Sequence, residues 1–218
     1  DRLDSAIKAK GNPICIGLDP RFEHIPKPVT EAALRKHGPT AEAVAEAFIA
    51  FNRAIVDAVA DIVPVCKPQV AFYEEYGWQG MRAYEATIRH AKEKGLLVIS
   101  DAKRGDIGPT ATAYARAHLA DRVDAKDAGF QADALTVNPY MGGDTLEPYL
   151  EVGASSGKGI FVLVKTSNPG SGDLQDIVTA SIDTVSERVA DLVAALGARH
   201  IGACGLSDVG AVVGATYP

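Results

Sequence analysis

Short apolar runs alternate along the chain with longer segments whose apolar residues recur at helical spacing. Phe48 follows Val44 by four residues, and Ile55 follows Phe48 by seven, so all three fall on one face of a helix. This spacing predicts a helix capped by Thr40. The runs predict strands at 14–18, 62–66, 96–100, 132–137, 160–164 and 209–214, and the helical spacing predicts helices at 40–59, 79–94, 109–120, 144–150 and 182–196. Residues 21–39, which are polar and rich in proline, are predicted as a long connection. Strand and helix therefore alternate six times, which indicates a parallel sheet with helices outside.

Polar or charged residues follow the first five predicted strands. They are Asp19, Lys67, Asp101 with Lys103, Asn138 and Ser167. In a barrel these residues would lie on one rim, where α/β barrels carry their active sites. A doubly wound sheet would instead place a glycine-rich phosphate loop after the first strand, and here Asp19-Pro20-Arg21 follows it. The pattern therefore favours the barrel.

The length of the chain sets how much of a barrel it can form. An eight-stranded barrel usually needs about 250 residues, and an open six-stranded sheet would expose long unpaired edges. We therefore expect a (β/α)8 TIM barrel of which residues 1–218 form about six βα units of a single domain, with strands seven and eight continuing beyond Pro218. The chain begins at Asp1 rather than Met, which leaves open a preceding segment.

Composition narrows the range of partners. The chain is 47% hydrophobic and 23% charged, as in ordinary globular proteins, with a formal net charge of −6 and no basic run. This balance argues against nucleic acid or an anionic membrane as partner, and no apolar run approaches the roughly 20 residues of a membrane helix. The cysteines, of which Cys15 and Cys66 lie in predicted buried strands, and the histidines form no metal-ligand spacing. We expect a cytoplasmic protein without a bound metal.

The stretch at 98–110 carries the strongest chemical signal. It starts as an apolar strand and continues with Asp101, Lys103 and Asp106. Side chains alternate on a strand, so Asp101 and Lys103 are predicted to point the same way, whereas Asp106 follows Gly105 on a loop that leads away. The alternative is a structural ion-pair network at the strand end. Because burying several charges for stability alone is seldom favourable, we interpret the set as catalytic.

Five segments resemble one enzyme family. Asp101-Ala102-Lys103-Arg104-Gly105-Asp106-Ile107-Gly108 is similar to the Asp-x-Lys-x-x-Asp-Ile signature of orotidine 5'-phosphate decarboxylases. GLDPR at 17–21, VCKPQVAFYE at 65–74, VNPYMGGD at 137–144 and KTSNPGSGDLQD at 165–176 resemble the longer bacterial (type 2) subfamily. The resemblance runs in order along essentially the whole chain.

The resemblance implies cofactor-free decarboxylation of orotidine 5'-monophosphate (OMP) to UMP and CO2 in de novo pyrimidine biosynthesis. It implies that Lys103 stabilises and then protonates the carbanion left on the pyrimidine ring. Asp101 would fix that ammonium and crowd the substrate carboxylate, and Lys67 would extend the charged row. Asp106 would reach into the partner subunit's site, so that a homodimer shares its active sites.

The same resemblance implies four substrate-binding residues. Asp19 would accept from a ribose hydroxyl, Ile107 and Thr110 would approach the ring and ribose, and Ser167 would recognise the pyrimidine edge. Asp19 and Ser167 could instead be turn formers, and Lys67 an exposed cation. The family's phosphate-binding residues follow strands seven and eight, so none can be assigned in this sequence.

Two other functions stay open at this point. One is an Mg-dependent decarboxylase or aldolase acting on a sugar phosphate, which would need a further carboxylate near Lys67. The neighbours of Lys67 are Cys66, Pro68 and Gln69, and Glu74 comes well after the strand. The other is a non-catalytic nucleotide-binding homologue that keeps the site without turnover. Activity that survives EDTA would dismiss the first, and an assay of OMP turnover would decide the second.

Overall fold

The computed structural model describes residues 1–121, 129–154 and 156–216. In these ranges the strands are β1 (Cys15–Leu18), β2 (Val65–Pro68), β3 (Leu97–Arg104), β4 (Ala134–Val137), β5 (Gly159–Lys165) and β6 (Val209–Val213). The helices are α1 (Arg2–Lys10), α2 (Lys27–His37), α3 (Ala41–Val59), α4 (Ala71–Glu74), α5 (Gly77–Glu93), α6 (Gly108–Leu119), α7 (Glu147–Ala154), α8 (Gly172–Gln175) and α9 (Val185–Gly197). Short 3-10 turns cover Phe22–His24, Gly143–Thr145 and Pro169–Ser171. The chain therefore has an α/β fold in which strands and helices alternate.

The chain divides into two compact units, and each is described by itself. The first unit comprises Arg2–Ala102 and Asp121–Asp133, and the second comprises Asp1, Lys103–Ala120 and Ala134–Pro218. Strand β3 begins in the first unit, and its last two residues, Lys103 and Arg104, belong to the second.

In the first unit, β1, β2 and β3 pair in parallel. Leu18 lies beside Pro68 across β1 and β2, and Cys66 lies beside Val98 across β2 and β3. The pairing therefore brings the carboxyl ends of β1 and β2 to the same edge.

The core of the first unit combines aromatic packing with a short polar chain. The ring of Tyr73 packs edge-on against Phe48 and Tyr84, with centroids 5.8 and 5.0 Å away. Buried Asn52 donates to the Tyr73 hydroxyl at 2.9 Å and to Thr87 Oγ1 at 3.0 Å. The Tyr73 hydroxyl in turn donates to the backbone carbonyl of Leu18 at 3.3 Å. Helices α3 and α5 are thus linked to the last residue of β1.

In the second unit, β4, β5 and β6 also pair in parallel. Val137 lies beside Val162 across β4 and β5, and Ile160 lies beside Val209 across β5 and β6. The apolar residues of these strands and of α6 and α7 contribute to the core: β5 buries every second residue, whereas all four residues of β4 are buried. Fully buried members include Leu119, Leu135, Val137, Leu150, Ile160 and Val162.

The helix caps follow from local sequence. The Thr40 hydroxyl accepts from the Ala43 N–H at 3.3 Å, which confirms the predicted cap of α3. Helix α9 begins with a capping box formed by Thr184 and Glu187. Because that box starts the helix at Val185, Ile182 lies outside it and is 87% exposed, so its predicted place on the helix face is wrong.

Three other predictions from the sequence are wrong. Residues 21–39 are not only a connection, because a proline in the first turn starts α2 at Lys27. Cys15 is exposed rather than buried, although Cys66 on the neighbouring strand is buried. The helix predicted at 144–150 starts later, because Asp144 lies inside a 3-10 turn and α7 begins at Glu147.

The six predicted strands are confirmed as elements, with shifted bounds. Strand β2 covers Val65–Pro68 rather than 62–66, so Lys67 lies within it, and β3 extends to Arg104, so Asp101 and Lys103 lie on the strand. In the described parts of the chain, no helix combines the length and apolar character needed to cross a membrane.

Candidate active site

An ion pair joins neighbouring strands in the first unit. The Lys67 ammonium on β2 lies 2.8 Å from Asp101 Oδ2 on β3. Gln69 Nε2 donates to the same oxygen at 2.9 Å, and the Ala71 N–H donates to Gln69 Oε1 at 3.2 Å. Asp101 is only 5% exposed, so two donors compensate a carboxylate that is almost out of water. The structure therefore brings together two of the residues that the resemblance assigned to the site.

Gln69 is a member of this cluster that the sequence reasoning did not select. It pairs with Asp101 in a parallel bridge, and its side-chain amide connects Asp101 to the start of α4. A signal was available, since Gln69 follows Lys67 by two residues and strand alternation places both on one side.

Electrostatics links Asp19 to the same cluster. Burial is the largest single effect on Lys67 and lowers its pKa, but the hydrogen bond and charge of Asp101, with Asp19 and Cys15, together raise the pKa above its ordinary value. Lys67 is therefore a cation at neutral pH, and Asp19 lies close enough to contribute to its field. Asp19 itself is exposed at the end of β1.

Cys15 also lies in this field. Although the residue as a whole is exposed, desolvation of its thiol is the largest effect on the pKa of Cys15 and raises it; Lys67 lowers the pKa, while Asp101 and Asp19 raise it. The thiol is therefore protonated at neutral pH, which makes it a weak nucleophile. The first unit thus brings together Asp19, Lys67 and Asp101, which the resemblance assigned to the site.

Lys103 has an unusual backbone in the second unit. Its φ angle is 47°, in the left-handed region that a non-glycine residue adopts at a cost of about 1–3 kcal/mol. Its N–H donates to Thr136 Oγ1 on β4 at 2.9 Å, and its side chain is exposed. The regular pleat of β3 is therefore interrupted at Lys103. Strand alternation, from which the direction of this side chain was predicted, does not determine where it points.

The residues after Lys103 are also held by the end of β4. The Arg104 carbonyl accepts from the Asn138 N–H at 2.8 Å. A Cβ at position 105 would lie 3.1 Å from the Asn138 carbonyl oxygen, so glycine permits this close approach. Asp106 then turns the chain, because its Oδ1 accepts from the Ile107 N–H at 2.8 Å.

The remaining predicted binding residues lie on two different segments of the second unit. Ile107 follows Asp106 directly and precedes the first residue of α6, and Thr110 lies in the first turn of that helix; both residues are exposed. Ser167 is exposed in the turn after β5, where a Cβ at position 214 would lie 3.0 Å from its backbone nitrogen. The backbone of Ser167 therefore packs closely on the end of β6.

A buried polar cluster lies beside the Lys103 segment in the second unit. The Arg104 guanidinium stacks over the Tyr114 ring at 5.3 Å from its centroid. His118 is 2% exposed, and burial, assisted by the positive charge of Arg104, lowers its pKa from 6.5 to about 3. Burial, with smaller contributions from Tyr114 and Asp106, raises the pKa of Tyr149 to about 12. His118 and Tyr149 are both neutral at pH 7.

The His, Cys, Asp and Glu side chains that the structure describes do not form a metal centre. Within residues 1–121, 129–154 and 156–216, no three His, Cys, Asp or Glu side chains converge to hold an ion. The carboxylate of Asp101 is instead neutralised by Lys67, which takes the place that a cation would need.

Parallel strands that alternate with helices form an α/β fold typical of barrel enzymes, and Lys67 and Asp101 place opposite charges on two neighbouring strands of it. Residues 12–218 match the family model described as "Orotidine 5'-phosphate decarboxylase / HUMPS family". The chain belongs to this family.

Individual relatives agree with the family match. The chain is 48% identical to the orotidine 5'-phosphate decarboxylase of Rhodopirellula baltica over 100% of its own length and 70% of the relative. It is 42% identical to that of Clostridium novyi over 99% of its own length and 70% of the relative. A crystal structure from Streptomyces avermitilis is 39% identical, with a TM-score of 0.79 over 100% of this chain and 69% of the other. The structure of Leishmania donovani OMP decarboxylase is 33% identical, with a TM-score of 0.71 over 99% of this chain and 70% of the other.

Proposed function

We propose that this protein decarboxylates OMP to UMP and CO2 without a cofactor, in de novo pyrimidine biosynthesis. Relatives at 48% and 42% identity carry the name of that enzyme, and the chain belongs to its family. The observation that carries the proposal is the Lys67–Asp101 pair at 2.8 Å, in which Asp101 lies two residues before Lys103 on β3. Asp101 and Lys103 are the two charges of the family signature that lie on this strand.

The reaction needs placed charge because it leaves an electron pair on a ring carbon. The bond between that carbon and the carboxylate breaks, CO2 departs, and the electron pair stays on the pyrimidine. Enzymes lower barriers by roughly 8–23 kcal/mol, and preorganised charge is usually the largest contribution. The Lys103 ammonium stabilises the carbanion and then transfers a proton to the same carbon, which gives UMP and a neutral amine that solvent reprotonates.

The Lys67–Asp101 pair prepares this site before substrate binds. Asp101 is buried and receives hydrogen bonds from Lys67 and Gln69, so its carboxylate position is fixed by two donors. In this proposal Asp101 orients the Lys103 ammonium and raises the energy of the bound substrate carboxylate by like-charge repulsion. Loss of CO2 removes that repulsion, so the effect acts on the rate and not on product binding.

The other predicted residues bind the nucleotide. Asp19 accepts from a ribose hydroxyl, Ser167 recognises the pyrimidine edge, and Ile107 and Thr110 approach the ring and ribose. Asp106 serves the partner subunit's site in a homodimer. The support is the match of each residue to the family pattern, together with the exposure of Asp19 and Ser167, which leaves them accessible to a ligand.

We also propose the complete barrel to which this chain belongs and the compartment in which the protein acts. The βα units belong to an eight-unit barrel, which is supported by the TM-score of 0.79 to a solved structure that this chain covers to 69%. The protein acts in the cytoplasm, where the free thiols of Cys15, Cys66 and Cys204 stay reduced.

The decisive experiment follows the loss of OMP absorbance with purified protein. The wild type is expected to turn over OMP, and Lys103→Ala is expected to lower kcat by at least about 1,000-fold while largely retaining nucleotide binding. Lys94→Ala, which removes a lysine paired with Asp57 at 2.8 Å on a helix end, is the matched control and is expected to keep full activity. An inactive wild type, or an active Lys103→Ala protein, would refute the proposed function.

A further inference from the structure

A side-chain oxygen accepts from the N–H of Lys103, the residue with the left-handed backbone. The acceptor is Oγ1 of Thr136 on β4, at 2.9 Å, and Thr136 is buried. In a regular parallel ladder this N–H would donate to a backbone carbonyl of the neighbouring strand. The Thr136 hydroxyl projects from β4 and can accept from the Lys103 N–H where that N–H is turned away from the regular ladder.

The next two residues show that this end of β4 holds the whole segment. The Arg104 carbonyl accepts from the Asn138 N–H at 2.8 Å, so main-chain pairing resumes immediately after Lys103. Gly105 approaches the Asn138 carbonyl so closely that a Cβ would be 3.1 Å away. The irregular backbone in this segment is therefore at Lys103. Its N–H donates to the Thr136 hydroxyl, and the carbonyl of the next residue accepts a backbone hydrogen bond from Asn138.

We propose that Thr136 is a positioning residue for Lys103, whose hydroxyl holds the left-handed backbone that directs the ammonium toward the reacting carbon. The inference rests on the proposed function, because it takes Lys103 as the proton donor. Thr136 acts through the Lys103 backbone and touches no reacting atom. A left-handed non-glycine residue persists only where its surroundings determine it, and the Thr136 hydroxyl supplies that determination.

Two substitutions of Thr136 separate the role of its hydroxyl from the role of its methyl group. Thr136→Val keeps the shape and removes the acceptor, whereas Thr136→Ser keeps the acceptor and removes a methyl group. If the hydroxyl positions Lys103, the valine variant loses kcat by about 10- to 100-fold because the ammonium is displaced, while KM stays within about threefold. The serine variant is expected to stay within about threefold of wild type in both constants.

Thr30→Val is the matched control for burying a valine in place of a hydroxyl. Thr30 on α2 is also a buried threonine, and its Oγ1 donates to the backbone carbonyl of Lys27 at 3.1 Å. It is expected to lower the melting temperature without changing kcat more than about twofold. All variants are compared in the full chain with steady-state OMP decarboxylation and thermal unfolding.

The outcomes distinguish this inference from the proposed function. If the wild type does not decarboxylate OMP, the proposed function fails first. If the wild type is active and Thr136→Val retains its kcat, the positioning role is wrong. Equal losses in Thr136→Ser and Thr136→Val would also overturn it, since the methyl group and not the hydroxyl would then matter. Should Thr136→Val not fold, Thr136→Ala replaces it under the same criteria.

Discussion

Acidification is expected to destabilise the protein through one buried imidazole. His118 is 2% exposed in the second unit, and burial, with the charge of Arg104, lowers its pKa to about 3 in the folded state. In the unfolded chain the same imidazole has its ordinary pKa of 6.5. Between these values the unfolded state binds a proton that the folded state does not bind. Stability that is fully present above pH 6.5 is therefore lost as the pH falls.

The size of this loss follows from the two pKa values. A group that differs by one pKa unit between two states contributes about 1.4 kcal/mol. Lowering the pH from about 6 to about 4 is expected to reduce the free energy of unfolding by about 2.5 kcal/mol through His118 alone. For a chain of this size that is a fall of roughly 5–10 °C in melting temperature.

The assay is urea unfolding at a series of pH values between about 4 and 7, with His118→Gln beside the wild type. Glutamine is neutral throughout this range, so the variant is expected to lose most of the acid-dependent slope and to keep only the carboxylate contributions. The exposed His24→Gln variant controls for the loss of an imidazole as such. A His118→Gln protein with the same slope as the wild type would show that His118 titrates normally and would refute the reasoning.

Two further predictions concern the reaction. Dialysis against EDTA is expected to leave kcat unchanged, since the described residues hold no cluster of three metal-ligating side chains; activity lost and then restored by Mg2+ would favour the sugar-phosphate alternative. Co-refolded Lys103→Ala and Asp106→Ala chains, each inactive alone, are expected to regain about a quarter of wild-type activity, because half the dimers are mixed and one site in each is intact. No recovery, with subunit exchange confirmed, would mean that Asp106 serves its own chain.

The sequence predicts the strands well because short apolar runs are a local pattern, and all six predicted strands are present with shifted bounds. The resemblance placed Lys67 and Asp101 in one charged row, but the ion pair between them depends on the pairing of β2 with β3, which the sequence does not show directly. At Lys103 the backbone is left-handed and its N–H donates to Thr136, a residue 33 positions away in the chain, so strand alternation does not determine where its side chain points. A contact of that kind leaves no local periodic signal.

Two other errors have similar causes. Helix α2 was missed because a proline-rich segment is typical of a loop, yet a proline in the first turn is compatible with a helix. Ile182 fits the spacing of α9, but the capping box at Thr184 starts the helix three residues later. Local capping chemistry here outweighs the periodicity of the apolar residues.

The polar chain in the core of the first unit affects how Asp19 can meet a ligand. Asn52 donates to Tyr73, and Tyr73 donates to the carbonyl of Leu18, the residue immediately before Asp19. Any displacement of this strand end must break a hydrogen bond inside the protein, where water does not replace it. If Asp19 binds a ribose hydroxyl, as in the proposed function, the strand end beside it is already held by this hydrogen bond. Less ordering is then needed on that side of the ligand, so more of the contact energy becomes affinity.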